Sequence, residues 1–322
     1  MTHLRRRTIL AAGLALALGA HRPAPAQEGA VTIVVPFPPG GLTDRVAMAL
    51  QPLLSRGLGQ PVSIEHRGGA AGNVGARSVA VSPADGRTLL LTFDSTLTAN
   101  PAIYRERLGY DAERELVPVA TVGDFGPLLA TGATSGLSDF AQFAATARQG
   151  GLSYASGGVG SPGHLSMEML LASVGASRGL HEPYRGAMPA TQAITSGEVQ
   201  AAYLVAPTVE REIAAGMLRV LAVAGRTRSR LVPDAPTLVE LGHPAAVAEF
   251  TFVIAAARGT PEALVQRLNA EVRNALEQDA LREPLRQLDV APRASTPAET
   301  AAVLAAARQR WTKVVAARGL RV

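Results

Sequence analysis

The sequence predicts a two-lobed α/β fold, each lobe a mainly parallel sheet flanked by helices, with a cleft between the lobes. Three observations predict it. Apolar β-rich runs alternate with helical patterns along most of the chain, a strand ending in a glycine-rich turn occurs once in each series, and long helices close the chain after the alternation stops.

In chain order, the first residues read as an export signal rather than an element of the fold. Arg5, Arg6 and Arg7 precede an apolar run from Ile9 to Ala20, and Ala24-Pro25-Ala26 offers a small-x-small cleavage site, so residues 1–26 are expected to be removed. Arg6-Arg7-Thr8-Ile9-Leu10 also resembles a twin-arginine signal, and an ordinary secretory signal fits equally well. The apolar run is shorter than the roughly 20 residues of a membrane span. Either route leads out of the cytoplasm.

Val31-Thr32-Ile33-Val34-Val35 is the first strand, Pro38-Pro39-Gly40-Gly41 its turn, and Val46, Leu50, Leu53 and Leu54 mark one face of the helix that follows. Gly57 and Gly59 end that helix. Val62 to Glu65 is the second strand, and Arg67-Gly68-Gly69-Ala70-Ala71-Gly72 leads into a short helix over 74–81. Thr88 to Phe93 is the third strand. Asn100-Pro101 and Tyr110-Asp111 mark loops before the strand Val117 to Val122.

A second series begins near Pro127, with strands at Leu128–Thr131, Leu152–Ala155, His181–Tyr184, Val199–Val205 and Leu218–Ala224. Helices are expected over 138–149, after the turn Ser156 to Gly163, and over 187–196 and 207–215. Beyond Pro233 come a short helix, the apolar run Phe250 to Ala256, and helices over 261–278 and 297–318. Closing helices cover a sheet left exposed, and the first series has fewer helices than strands. Residues 27–124 with 235–322 are therefore expected to form one lobe and 125–234 the other.

Composition narrows the function. The formal charge of +5 includes Arg5, Arg6, Arg7 and Arg22, which leave with the signal, whereas no acidic residue does, so the remaining chain carries +1. With 4% aromatic residues and no basic block, a nucleic-acid partner is set aside. The absence of cysteine removes thiol nucleophiles, disulfides, thiolate metal sites and lipoprotein attachment together. His66, His164, His181 and His243 show no metal-ligand spacing.

The two glycine turns carry the candidate chemistry: Phe37 to Asp44 in the first lobe and Ser156 to His164 in the second. Missing Cβ atoms let backbone N–H groups approach an oxygen, and a helix start carries partial positive charge. A single such turn often only connects strand to helix, whereas two facing one cleft suit an acidic ligand that bridges the lobes. Gly158-x-Gly160-x-x-Gly163, with Glu182 downstream, also matches a dinucleotide fingerprint, which makes an NAD-dependent oxidoreductase the alternative. Pro162 inside the turn and the export signal weigh against it. Ser161 and His164 lie close in sequence but outside a G-x-S-x-G elbow, so they read as cap and packing rather than as a relay.

Val34-Val35-Pro36-Phe37-Pro38-Pro39-Gly40-Gly41-Leu42-Thr43-Asp44 resembles the Bug-type receptors of tripartite tricarboxylate transporters. The likeness continues through Arg67 to Gly75, Pro83 to Leu90, Asn100 to Tyr104, Leu152 to Ser161, Pro183-Tyr184-Arg185-Gly186 and Gly259-Thr260-Pro261. It implies a two-lobed, type II-like periplasmic binding protein that closes on a small carboxylate and presents it to membrane permease subunits, as a monomer and without cofactor, metal or chemistry. By position it implies an apolar wall at Phe37, N–H groups from Gly40 and Gly41, and contacts from Ser156, Gly160 and Ser161. Asp44 is expected to act indirectly. Ser95 and Thr96 are expected to line the pocket, and His164 and Tyr184 either to do so or to pack. Two departures bear on specificity: Tyr203-Leu204-Val205 stands where relatives read Phe-Asp-Asn, and Thr251 where an aromatic is common. With Leu204 in place of an acid, the expected ligand is a dicarboxylate or an aromatic acid rather than an amino acid. A sensing receptor would use the same fold and closure.

Overall fold

The computed structural model describes residues 29–322, so the expected signal and its cleavage point lie outside the described residues. The first apolar run forms β1 (Val31–Val35), and its glycine turn opens α1 (Leu42–Leu58); β2 (Val62–His66), α2 (Asn73–Ala80) and β3 (Thr88–Phe93) follow. Short helices α3 (Asp94–Thr98), α4 (Asn100–Tyr104) and α5 (Ala112–Glu115) precede β4 (Leu116–Phe125). The second series runs β5 (Leu128–Gly132), α6 (Phe140–Arg148), β6 (Ser153–Ser156), α7 (Pro162–Ser173), β7 (Leu180–Pro183), α8 (Ala187–Ser196), β8 (Ala201–Leu204), α9 (Glu210–Ala214) and β9 (Leu218–Val223). The chain returns through β10 (Phe250–Ala257), α10 (Glu262–Glu277), α11 (Asp279–Gln287), β11 (Ala291–Pro292) and α12 (Pro297–Arg318).

The strands form two sheets, ordered β11-β4-β10-β3-β1-β2 and β7-β6-β8-β5-β9. Apart from the β11 edge they share one plan. β1 pairs in parallel with β2 and β3, and β6 with β7 and β8, as expected where helices supply the crossovers. The strand that follows each chain crossing, β5 in one sheet and β10 in the other, inserts between two existing strands and runs antiparallel to both. Both sheets are therefore mixed, and the crossing supplies the antiparallel member.

The crossings touch each other. A Cβ on Gly126 would stand 2.5 Å from the Gly225 nitrogen, so the chain entering the second sheet and the chain leaving it pass at backbone contact. After β9, Val223 bridges Thr237 and Ser173 bonds His243, and the return to the first sheet takes place at Phe250.

The apolar periodicity read for α1 is its buried face, with Val46, Leu50, Leu53 and Leu54 packed away from solvent. Four helices, α3, α4, α5 and α11, form where the sequence reading places none. Asn100-Pro101 opens α4, because proline in a first helical turn loses no hydrogen bond. The chain also forms α11, whose buried residues are Leu281 and Leu285, too short a pattern to read from sequence.

The terminal helix joins the two halves. Thr296 and Glu299 form a capping box at its start, Trp311 stacks on Phe250 with centroids 5.3 Å apart, and the Arg310 guanidinium lies 4.3 Å over the Trp311 ring. Below them, burial pushes the Asp94 carboxyl up to about 6 against the opposing pull of Arg310. At the last turn, Arg318 Nε donates to Glu168 Oε2 on α7 at 2.7 Å, and the Tyr154 hydroxyl donates to Glu168 Oε1 at 2.6 Å. A helix packed on the first sheet thus ends in a nearly buried ion pair with the second series.

Tyr154 also begins a ring stack under the second glycine turn. His181 lies 4.8 Å from Tyr154 and 4.2 Å from His164, all three rings nearly parallel. His181 Nε2 bonds the Ser156 hydroxyl at 2.7 Å, and His164 Nδ1 accepts the Gly160 N–H at 3.1 Å. Burial holds His164 down to about 3, with His181 adding to it, and holds His181 down to about 4 although Glu168 opposes.

Two outcomes are expected. Arg318→Ala leaves Glu168 buried without its cation, and chemical denaturation should show a loss on the order of 3 kcal/mol. The folded state keeps both histidines neutral whereas the unfolded chain protonates near 6.5, so these groups withdraw stability as pH falls from about 6.5 toward 4. Asp94, whose folded carboxyl titrates high, tilts the other way in that window. His181→Gln should therefore flatten the acid slope of a stability curve by on the order of 2 kcal/mol between pH 6.5 and 4, and an unchanged slope would contradict the assignment.

Candidate ligand-binding site

Each of three strand-to-helix turns is shaped by a glycine that adopts a conformation other residues avoid. In the β1–α1 turn, Gly40 has φ +83°, and its N–H donates to Asp44 Oδ2 at 2.7 Å. Asp44 Oδ1 is held in turn by His66 Nε2 at 2.7 Å. Gly41 caps α1 without a side-chain bond, which leaves the Leu42 and Thr43 N–H groups with no partner among the described residues.

In the β6–α7 turn, Ser161 Oγ accepts from the His164 N–H at 3.4 Å, and the Gly163 N–H points out of the first turn unpaired. Gly160 has φ +89°, and a Cβ there would collide with the Asn100 side chain from α4. The Tyr104 hydroxyl donates to Val159 O across the same gap at 3.0 Å. The third turn joins β7 to α8 through Gly186 at φ +111°, again without a side-chain cap, and a Cβ on it would stand 3.4 Å from Pro38.

These turns meet at one cleft of about 900 Å³, counted to its open mouth. Phe37 to Pro39 and Gly41 to Thr43 line one side; Gly157, Ser161 to Gly163 and Arg185 to Ala190 line the other. Phe93, Phe125, Pro127 and Tyr203 to Val205 complete the wall between them. Phe37 packs on Phe93 with centroids 5.0 Å apart, and Phe93 on Phe125 at 5.4 Å, so the wall is a continuous aromatic surface. Arg185 is the one charged side chain lining it, exposed and without an ion pair or hydrogen bond among the described residues. Among the described residues no carboxylate lines it.

Of the residues singled out in the sequence, Phe37, Gly41, Ser161 and Leu204 line the cleft. The others stand behind its turns. Gly40 and Asp44 bond each other, Gly160 and His164 bond each other, and Ser156 Oγ is engaged by His181. Ser95 and Thr96 lie buried in α3, where Thr96 Oγ1 accepts from Thr92 at 2.9 Å and the Ser95 hydroxyl has no partner among the described residues. The Tyr184 hydroxyl donates to Glu198 at 2.7 Å, a bond that pushes its pKa up to about 12. Thr251 lies off the cleft, its hydroxyl donating to Asp124 at 2.6 Å.

The sequence reading misses the third turn, Arg185 to Met188, although a glycine between a strand and a helix is its visible signal. It also misses Phe93 and Phe125, which reach the cleft only because two sheets meet there. The dinucleotide reading gains no support: the Gly160 N–H is taken by His164, and Asn100 fills the space before that glycine. Ser161 faces the His164 backbone rather than its ring, the geometry of a cap. Among the described residues, no cluster of His, Asp and Glu could hold a metal, and no helix is long and apolar enough to cross a membrane.

Comparison with known proteins agrees with this architecture. The pattern of the tripartite tricarboxylate transporter family receptor matches residues 46–320. BugT of Bordetella pertussis is 35% identical over 294 residues, covering 91% of this chain and 90% of its own. A Rhodopseudomonas palustris protein solved with adipate superposes with a TM-score of 0.85 at 31% identity, over 92% of this chain and 99% of that one. MatC from the same organism, solved with bound malate, gives 0.82 at 31% identity over 89% and 99%. The family match over most of the chain and a relative 35% identical along 91% of it place this chain in the tripartite tricarboxylate transporter receptor family.

Proposed function

We propose that this chain is an exported periplasmic receptor that captures a small carboxylate, a dicarboxylate or an aromatic acid, between its lobes. It delivers that ligand, as a monomer and unchanged, to the membrane permease subunits of a tripartite tricarboxylate-type transporter. The observation that carries the reading is the convergence of three uncapped or partly open helix starts on one cleft beside an unpaired Arg185. Unpaired N–H groups at helix starts and a free guanidinium favour an anion, and a cleft wall with no carboxylate among the described residues offers no repulsion. The same lack of an acid leaves a ligand ammonium without a partner, which disfavours amino acids.

Closure supports capture. Arg45 Nη1 on α1 donates to Pro207 O at 3.0 Å, and Tyr104 on α4 bonds Val159 at 3.0 Å, so both lobes must be together for either bond to exist. A ligand touching both sides adds its binding free energy to this state alone. The adipate and malate held by the two structural relatives are of the proposed ligand class. The Arg5-Arg6-Arg7 leader and its Ala26 cleavage site support export.

A thermal-shift panel should show stabilisation by dicarboxylates or aromatic acids and none by amino acids; stabilisation only by amino acids or hydroxy-tricarboxylates would remove the reading. Gly160→Val should lower affinity for the stabilising acid at least about tenfold and abolish ligand-dependent compaction in X-ray scattering, because the side chain holds the lobes apart at Asn100. Arg185→Gln should weaken the same ligand about tenfold while leaving compaction at saturation intact.

A further inference from the structure

The face of α4 that meets the second lobe carries an amide with one end unsatisfied. Asn100 is fully buried; its Nδ2 donates to Asn73 Oδ1 at 2.8 Å and to Ala71 O at 3.1 Å, and its Oδ1 has no hydrogen-bond partner among the described residues. Ala71 O fixes which end is which, because a backbone carbonyl can only accept, so the amide nitrogen faces it and the oxygen points away. What the oxygen meets is Gly160. The direction in which a Cβ would leave Gly160 runs onto Asn100 Oδ1, so a Cα hydrogen of that glycine abuts it. The Gly160 N–H cannot turn to it instead, being held by His164 Nδ1 at 3.1 Å. Four residues along α4, the Tyr104 hydroxyl donates to Val159 O at 3.0 Å. Residues four apart share a helix face, so one face of α4 makes a satisfied and an unsatisfied contact with adjacent residues of the second turn.

These two contacts act in opposite directions. With the lobes apart, water can bond both groups. On closure Tyr104 exchanges water for a carbonyl, a near-even trade, whereas Asn100 Oδ1 gives up water for a C–H, a weaker partner. That cost falls on the closed form alone. We infer that Asn100 is a positioning residue that keeps the empty receptor open: its amide oxygen opposes closure until a ligand touching both sides supplies the missing free energy. This rests on the receptor reading and concerns the balance between its open and closed forms rather than its ligand. A cleft that shut when empty would bar incoming ligand and lower the apparent affinity for it less than it would slow capture. The nitrogen end explains why an amide stands there at all, since it braces Ala71, which with Ala70 holds a positive φ of +52° and +46° respectively in the turn before α2.

The test compares wild type with Asn100→Ala and Asn100→Asp, by X-ray scattering without ligand and by calorimetric titration with adipate. Both variants lose the Nδ2 donor that braces Ala71, so a role confined to the first lobe would shift them in the same direction. The inference requires opposite shifts. Asn100→Ala should be more compact than wild type without ligand and bind adipate about tenfold more tightly. Asn100→Asp, which buries a charge on closing, should stay extended and bind adipate at least about tenfold more weakly. Asn100→Ser, which keeps a donor on a shorter side chain, should follow Asn100→Ala and takes its place if that variant does not fold. Variants that move together, or an Asn100→Ala protein no more compact and no tighter than wild type, would overturn the inference and leave the receptor reading standing. Failure of adipate to bind all three proteins would count against a dicarboxylate ligand, and the ligand-free scattering of Asn100→Ala then decides this inference by itself.

Discussion

Three helices begin at one cleft with backbone N–H groups that have no partner of their own, and the rest of the site depends on that shortage. At α1 the cap is a glycine without a side-chain oxygen, at α8 it is again a glycine, and at α7 proline and serine satisfy only part of the first turn. An anion placed there meets fixed dipoles that need no reorganisation, and the aromatic wall behind keeps their field from being screened by water. Side chains that would otherwise compete are turned away. Asp44 is tied to Gly40 and His66, so a carboxylate on the first turn of α1 supports the loop instead of repelling the ligand.

That arrangement exists only when the halves are close, and glycine sets how close they come. Gly160 admits Asn100, Gly186 admits Pro38, and Gly126 admits the Gly225 backbone where the two connecting segments pass. Two hydrogen bonds span the approach on the cleft side, Arg45 with Pro207 and Tyr104 with Val159. On the far side, α12 ties Arg318 to Glu168 and Tyr154, a bond made by residues remote from the cleft.

Beneath the second turn, the stack of Tyr154, His181 and His164 shows how a buried polar core positions a binding loop. His164 takes up the Gly160 N–H, and His181 takes up the Ser156 hydroxyl, so two groups that could have met the ligand instead fix the loop's shape. Their neutrality follows from burial, and the loop's geometry depends on it. Several residues whose identity suggested ligand contact therefore act through the backbone they hold.

Sequence alone determined the repeated strand-turn-helix pattern, the two glycine turns and the family resemblance, because strand alternation, helical periodicity and positive-φ glycines are local constraints written within a few residues. Val46, Leu50 and Leu54 show the buried face of α1 without any knowledge of what covers it. Local rules could not show that β5 and β10 insert antiparallel, since sheet order depends on where a crossing returns. Nor could they bring Phe93, Phe125, Tyr203 and the Arg185 turn to one wall, because those residues come from different strands and loops separated by most of the chain. Which N–H groups are spent on Asp44 and His164, and which remain open at Leu42, Thr43 and Gly163, is decided only by tertiary structure, since a hydrogen bond is won by whichever acceptor the fold brings within reach.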